Sequence, residues 1–102
     1  MAFITRWSTP ENTFIIPVDE EMVEEIIITY AQNNVAIFRK EMADCTFDGY
    51  TVCCLLTQEE TLMLSSASPV QIQLKIQTGG GNVIVSEEIV IGVKQALNEE
   101  VM

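Results

Sequence analysis

Any chemistry in this chain has to come from carboxylates and cysteines, because its 102 residues include no histidine. Without an imidazole the commonest general base and the commonest metal ligand are both missing, and nucleophilic triads of the usual kind are absent. Cys54 as a nucleophile would need a neighbouring base or cation, and positive charge can come only from Arg6, Arg39, Lys40, Lys75 and Lys94. Core packing is its expected role. The carboxylates come as the adjacent pairs Glu20-Glu21, Glu24-Glu25, Glu59-Glu60, Glu87-Glu88 and Glu99-Glu100, with Asp19 beside the first. Neighbours on a strand diverge to opposite faces, so a pair placed there cannot act as acid and base across one substrate. Asp19, Glu20 and Glu21 in a turn could hold a calcium ion weakly, but they lack the Asp/Asn-Gly spacing of a calcium loop, and a solvated acidic turn is expected.

Gly79-Gly80-Gly81 is followed by no Lys-Ser/Thr pair and precedes a strand pattern, so it reads as a flexible hairpin loop rather than a phosphate loop. Gly79, Gly80, Gly81 and Asn82 are the candidate contact residues, at one end of the fold. Trp7, Phe3 and Tyr50 could line a groove that stacks on sugars. Against this, one tryptophan, two tyrosines and four phenylalanines are an ordinary core's supply. No catalytic residue, metal or cofactor emerges, no small-molecule substrate is expected, and the protein is read as a non-enzyme.

The elements that must carry these residues are strands. From Val70 to Gln77 apolar and polar residues alternate without a fault, which places Val70, Ile72, Leu74 and Ile76 on a core face and Gln71, Gln73, Lys75 and Gln77 in water. Phe3 to Trp7 reads as an edge strand, residues 8–12 as a turn, and Thr13 to Val18 as a strand edged by Pro17. Asp19 to Met22 forms a short acidic turn with Asp19 placed to cap it, and the β-branched run Ile26-Ile27-Ile28-Thr29 makes a strand over about 24–32. Asn33-Asn34 and Asp48-Gly49 supply hairpin turns. The strand from Tyr50 to Leu56 is apolar on both faces and should be central in its sheet. Thr57-Gln58-Glu59-Glu60 fits a capping box that starts a helical turn near 58–64, with Leu62 and Leu64 as anchors. Val83 to Val93 returns as a strand long enough to hold a bulge near Glu87-Glu88. Residues 1–94 are assigned to one all-β sandwich domain and 95–102 to a C-terminal tail.

Composition narrows the classes further. A hydrophobic content of 48% supports a core without metal or disulfide. Cys53 and Cys54 are neighbours facing opposite sides of one strand, which argues against a disulfide framework. The formal charge of −10 repels phosphate backbones and anionic lipid alike, so neither nucleic acid nor membrane is an expected partner. No apolar run nears the roughly 20 residues of a membrane span and no secretory leader is evident, which places the protein in a cytoplasm.

The order of features resembles small proteins encoded by Firmicutes phages and prophages. It runs from a short first strand through Ser-Thr-Pro-Glu-Asn-Thr-Phe (8–14) to a strand ending Ile28-Thr29-Tyr30-Ala31-Gln32. Asp44-Cys45-Thr46-Phe47-Asp48-Gly49 and Leu56-Thr57-Gln58-Glu59-Glu60-Thr61-Leu62 then precede Val70 to Ile76. More distantly it is similar to the N-terminal domain of phage baseplate upper proteins, an Ig-like β-sandwich used as an assembly module. The resemblance spans most of the chain and carries no active-site residue with it; it departs from that family in having no receptor-binding or fibre segment after the sandwich. It implies an Ig-like antiparallel β-sandwich of six to seven strands, acting as a structural or accessory module of a tail, baseplate or head. Such a module works through a protein partner or self-association, with unpaired edge strands and the 78–82 loop as contact elements, in a bacterial cytoplasm or a virion. The alternatives are an acidic inhibitor or regulator of a basic host protein, and a carbohydrate-binding β-sandwich.

Overall fold

In a computed structural model, which describes residues 3–6 and 8–94, the alternating run becomes β7 (Val70–Thr78), with Val70, Ile72, Leu74, Ile76 and Thr78 buried and Gln73, Lys75 and Gln77 exposed. One side of β7 pairs antiparallel with β3 (Val23–Gln32), which pairs in turn with β4 (Val35–Glu41). The β3–β4 turn is Asn33-Asn34 at φ 53° and 63°, the positive values a tight hairpin needs and asparagine tolerates.

On its other side β7 meets the returning chain as β8 (Val83–Val85) and β9 (Ile89–Lys94). Lys75 faces Val85 but Ile72 faces Ile89, so the return holds one residue more than β7 opposite it. This is the bulge expected at Glu87-Glu88. Ser86 anchors it, its N–H donating to the Leu74 carbonyl and its Oγ accepting from the Leu74 N–H, both at 2.9 Å. Beyond β9 lies β1 (Phe3–Thr5), and this pair is parallel, a departure from the wholly antiparallel expectation.

The second sheet is β2 (Glu11–Ile15), β6 (Thr51–Leu55) and β5 (Cys45–Asp48), with β6 central as its two apolar faces require. β2 starts two residues earlier than expected and stops before Ile16-Pro17. The β5–β6 turn is Gly49-Tyr50, one residue later than expected, and Gly49 takes the positive φ of 60°. Among the described residues the strands number nine segments against the six or seven expected, because the bulge divides the return strand and the short β1 and β5 also pair.

Between the sheets Ile26, Ile28 and Tyr30 of β3 and Ile72, Leu74 and Ile76 of β7 oppose Val52 and Cys54 of β6, with Ile4, Ile16, Leu56 and Leu64 closing the core. Each fully buried isoleucine or leucine contributes about 2 kcal/mol. The arrangement is an all-β sandwich. Among the described residues there is one α-helix, α1 (Gln58–Leu62), between β6 and β7. Thr57 Oγ1 accepts from the Glu60 N–H at 3.1 Å and Glu60 Oε1 accepts from the Thr57 N–H at 2.9 Å, the reciprocal cap read from the sequence. α1 ends two residues early, because Leu64 turns into the core and its N–H bonds to the Thr61 carbonyl. The tail assigned to 95–102 lies outside the described residues. No helix among those described is long and apolar enough to cross a membrane.

Candidate interaction surface

The loop Gly79-Gly80-Gly81-Asn82 sits at the end of the sandwich where three turns are laced together. The Gly79 N–H donates to the Met22 carbonyl at 3.2 Å, at the close of a 3-10 turn over Glu20–Met22. That turn is fastened to the β5–β6 turn through the Glu20 N–H and the Gly49 carbonyl at 2.8 Å, and the Tyr50 carbonyl accepts from the Ile16 N–H at 2.8 Å. Within the loop, Gly81, at φ 84°, has a backbone conformation that calls for glycine. The Gly81 N–H also bonds to the Thr78 carbonyl at 2.9 Å, so the loop is a fastened turn. The segments that meet here expose Met22 and Tyr50 on their turns, Ile15, 86% exposed, on the outer face of the small sheet and Val83 on the outer face of the large one.

The opposite end combines exposed Val35, Leu55 and Met63 with a knot of polar contacts. Gln32, buried, donates through Nε2 to the Ser65 and Ser68 carbonyls at 2.8 and 2.9 Å and accepts from the Ser65 N–H at 2.9 Å. Gln71 links the Asn33-Asn34 turn to the bulge, accepting from the Asn34 N–H and donating to Asn34 Oδ1 and Glu88 Oε1. Exposed apolar side chains occur at both ends, and what distinguishes this one is the hydrogen-bonded knot around Gln32 and Gln71.

A groove runs from Ile15–Pro17 along the flank where the sheets do not meet. Its larger hollow, about 470 Å³, lies between Phe14, Ile15 and Pro17 on one wall and Ile84, Val85 and Ile89 on the other. A second of about 310 Å³ continues it past Glu11, Ile72 and Ile91. Thr13, Phe14 and Ile89 line both, so they form one channel. Both walls are sheet edges. The Ile16 N–H bonds to the Tyr50 carbonyl and the Leu56 N–H to the Pro10 carbonyl, so the even-numbered residues of this stretch face β6. By the alternation of antiparallel ladders, the main-chain groups of Glu11, Thr13 and Ile15 point to the open edge. On β8 the Ser86 bond to Leu74 fixes the same alternation and turns the main chain of Val83 and Val85 outward.

The residues weighed for chemistry are placed as follows. Cys54 is fully buried and directly opposite Cys45 on β5, and all three cysteines are free thiols. Burial pushes the Cys54 thiol up to about 11, Cys45 adds to the shift, and the nearby Lys40 opposes it without prevailing. Burial likewise raises Cys45, with Asp44 adding. A thiol held protonated is a poor nucleophile at neutral pH, which agrees with core packing. Tyr30 is buried beside them, stacked on Phe38 with ring centroids 4.7 Å apart, and its hydroxyl donates to Asn12 Oδ1 at 2.7 Å, joining the two sheets.

The acidic turn spends its carboxylates locally, Asp19 Oδ1 accepting from the Glu21 N–H and Glu20 Oε1 from the Gly49 N–H. Among the described residues no cluster of three or more metal-ligating side chains occurs. Glu24 and Glu25 are both exposed despite being strand neighbours, because an extra residue at Glu24 shifts the register against β7. Glu99-Glu100 and Trp7 lie outside the described residues, as does the side chain of Phe3, which leaves Tyr50, exposed on its turn, as the described member of the aromatic set.

Sequence reasoning missed the groove and also Lys40. This lysine is buried, and its Nζ lies 2.5 Å from Glu60 Oε1, the oxygen that caps α1. Its neighbour Arg39 remains exposed in an ion pair with Glu41 at 3.1 Å.

No protein-family model matches the chain, and no curated protein matches it. Among solved structures, extracellular domains 3–5 of Drosophila OTK align at a TM-score of 0.43 and 15% identity, over 95% of this chain and 33% of that one. The chain thus spans about a third of the length of that structure. The β-sandwich assignment rests on the strand order and register of the chain itself.

Proposed function

We propose that the protein is a non-enzymatic interaction module, a structural or accessory component of a phage or prophage particle that works through protein–protein contact. The observation carrying this reading is the exposure of Ile15, Met22, Tyr50 and Val83 on the segments that meet beside the 79–82 loop. Exposed large apolar side chains and open sheet edges are the elements of which protein contact sites are built. The phage setting is supported by the resemblance in feature order.

Solution mass, measured by size-exclusion chromatography with light scattering over a range of concentrations and salt, tests it. Salt-resistant oligomers that disappear in a Met22→Lys, Tyr50→Ser variant are expected. A strict monomer under every condition would sink self-assembly. The formal charge of −10 supports a second reading, an acidic regulator of a basic protein, whose binding would weaken steeply with salt.

A further inference from the structure

The groove along the flank of the sandwich has walls and a lining that specify what would fill it. Its walls offer unpaired main-chain donors and acceptors at Glu11, Thr13 and Ile15 on one sheet, and at Val85 on the other. Its floor and sides are aliphatic, from Ile72, Leu74 and Ile76 to Ile84 and Ile89. An open edge flanked by an apolar trough is the geometry that receives an added strand: main-chain bonds give affinity, and alternate side chains enter the trough.

The other sheet edges are guarded. β4 carries the exposed, ion-paired Arg39 and Glu41, β1 is only three residues long, and β5 ends in Asp48 with Asp44 just before it. β2 and β8 have no charged residue between Glu11 and Ile15 or from Val83 to Val85.

Charge selects the occupant. Neither hollow is lined by lysine or arginine, and Glu11 lines one of them. Asp19 and Glu20 follow Pro17 at one end of the groove, and Glu87 and Glu88 interrupt the β8–β9 wall. A second copy of a chain carrying −10 would bring the same sign to this rim. We propose that the groove binds an extended segment of a basic partner protein, apolar at alternate positions and lysine- or arginine-bearing at the others, which adds to the free edge of β2 as a fourth strand of the small sheet. The inference rests on the reading of the protein as an interaction module and names the partner's chemistry and the mode of contact.

The test uses the whole chain and a synthetic peptide of about seven residues, a strand's length, alternating isoleucine or valine with lysine. Two controls accompany it, a peptide of the same composition with the alternation scrambled and one with glutamate in place of lysine. Binding is read by calorimetry. Thr13→Pro removes an outward N–H without touching the β2–β6 ladder. Val85→Lys adds a positive charge to the opposite wall, and it keeps the test valid where the proline variant fails to fold.

The alternating basic peptide is expected to bind the natural chain, and each variant that folds to weaken it about tenfold or more, as the loss of an edge donor or a like-charge clash should. Equal binding of the scrambled peptide, or unchanged affinity in the folded variants, would overturn the inference. So would equal binding of the glutamate peptide, or self-association that Thr13→Pro abolishes, the latter showing a second copy to be the occupant. Loss of oligomers in the Met22→Lys, Tyr50→Ser variant, with no peptide binding to the natural chain, would refute the groove alone and leave the interaction module standing.

Discussion

Glu60 serves two masters, and separating them is the sharpest test of the packing described here. Its Oε1 accepts from the Thr57 N–H to cap α1 and also meets Lys40 Nζ, with side-chain exposures of 18% for Glu60 and 8% for Lys40. Glu60→Gln keeps an oxygen that can cap the helix and removes only the charge, leaving an ammonium buried without its partner. Breaking a buried pair in this way costs about 3 kcal/mol, the low end of the usual range because Glu60 retains some water contact. For a domain of this size that is a fall in Tm of roughly 15 °C.

Lys40→Met fills the same space without a charge, and its expected cost is below about 1 kcal/mol, since buried pairs replaced by apolar groups are often neutral. In the double variant the glutamine then adds almost nothing to the methionine. Denaturant unfolding of the four proteins closes the cycle, with an expected coupling of about 2 kcal/mol or more. Near-equal losses in the two single variants that simply add would refute the reasoning, because they would show that Lys40 does not depend on the Glu60 charge.

Tyr30→Phe should cost about 1 kcal/mol in denaturant unfolding, the worth of one bond joining the sheets at Asn12. Because the folded Cys54 thiol is raised to about 11 from 9.0, its contribution to stability is full below pH 9.0 and is lost as pH rises through 11. Unfolding midpoints measured across that window should fall less in Cys54→Ala, once its own lower starting stability is subtracted. Gly81→Ala should lose about 1 kcal/mol from its left-handed backbone. Gly80→Ala, where the added carbon meets nothing nearer than Asn82 at 4.0 Å, should be neutral or slightly stabilising in the same assay. Replacing residues 79–82 by Asn-Gly should weaken self-association in light scattering while leaving the circular dichroism of the sandwich intact.

Features set by neighbours in sequence were legible. The β7 alternation, the Asn33-Asn34 turn, the Thr57–Glu60 cap and the bulge beside Glu87-Glu88 each depend on a few adjacent residues whose conformational preferences agree. What depends on two distant segments meeting was not. Lys40 follows Arg39 and precedes Glu41, so the local pattern gives no sign that it is the buried member of the three. Its burial follows from Glu60 arriving on α1 from another part of the chain. The parallel β1–β9 pairing and the groove have the same origin, since each is a relation between edges of sheets assembled from widely separated strands. The candidate loop was found from its glycines, whereas the apolar neighbours Met22, Tyr50 and Ile15 come from three other segments and join it only in space.

The β1–β9 pair also bears on the order in which the molecule can be made. Phe3–Thr5 finds its partner in Gly92–Lys94, and Ile4, which that strand carries, is fully buried. During synthesis β1 must therefore wait for residues 92–94 to emerge before its core position exists. Closing so long a loop is a late event, favourable only when the rest of the sheet is already in place. Until then β9 presents an unpaired edge beside an unfinished core. That interval, rather than the completed sandwich, is when the chain is most open to pairing with a stranger.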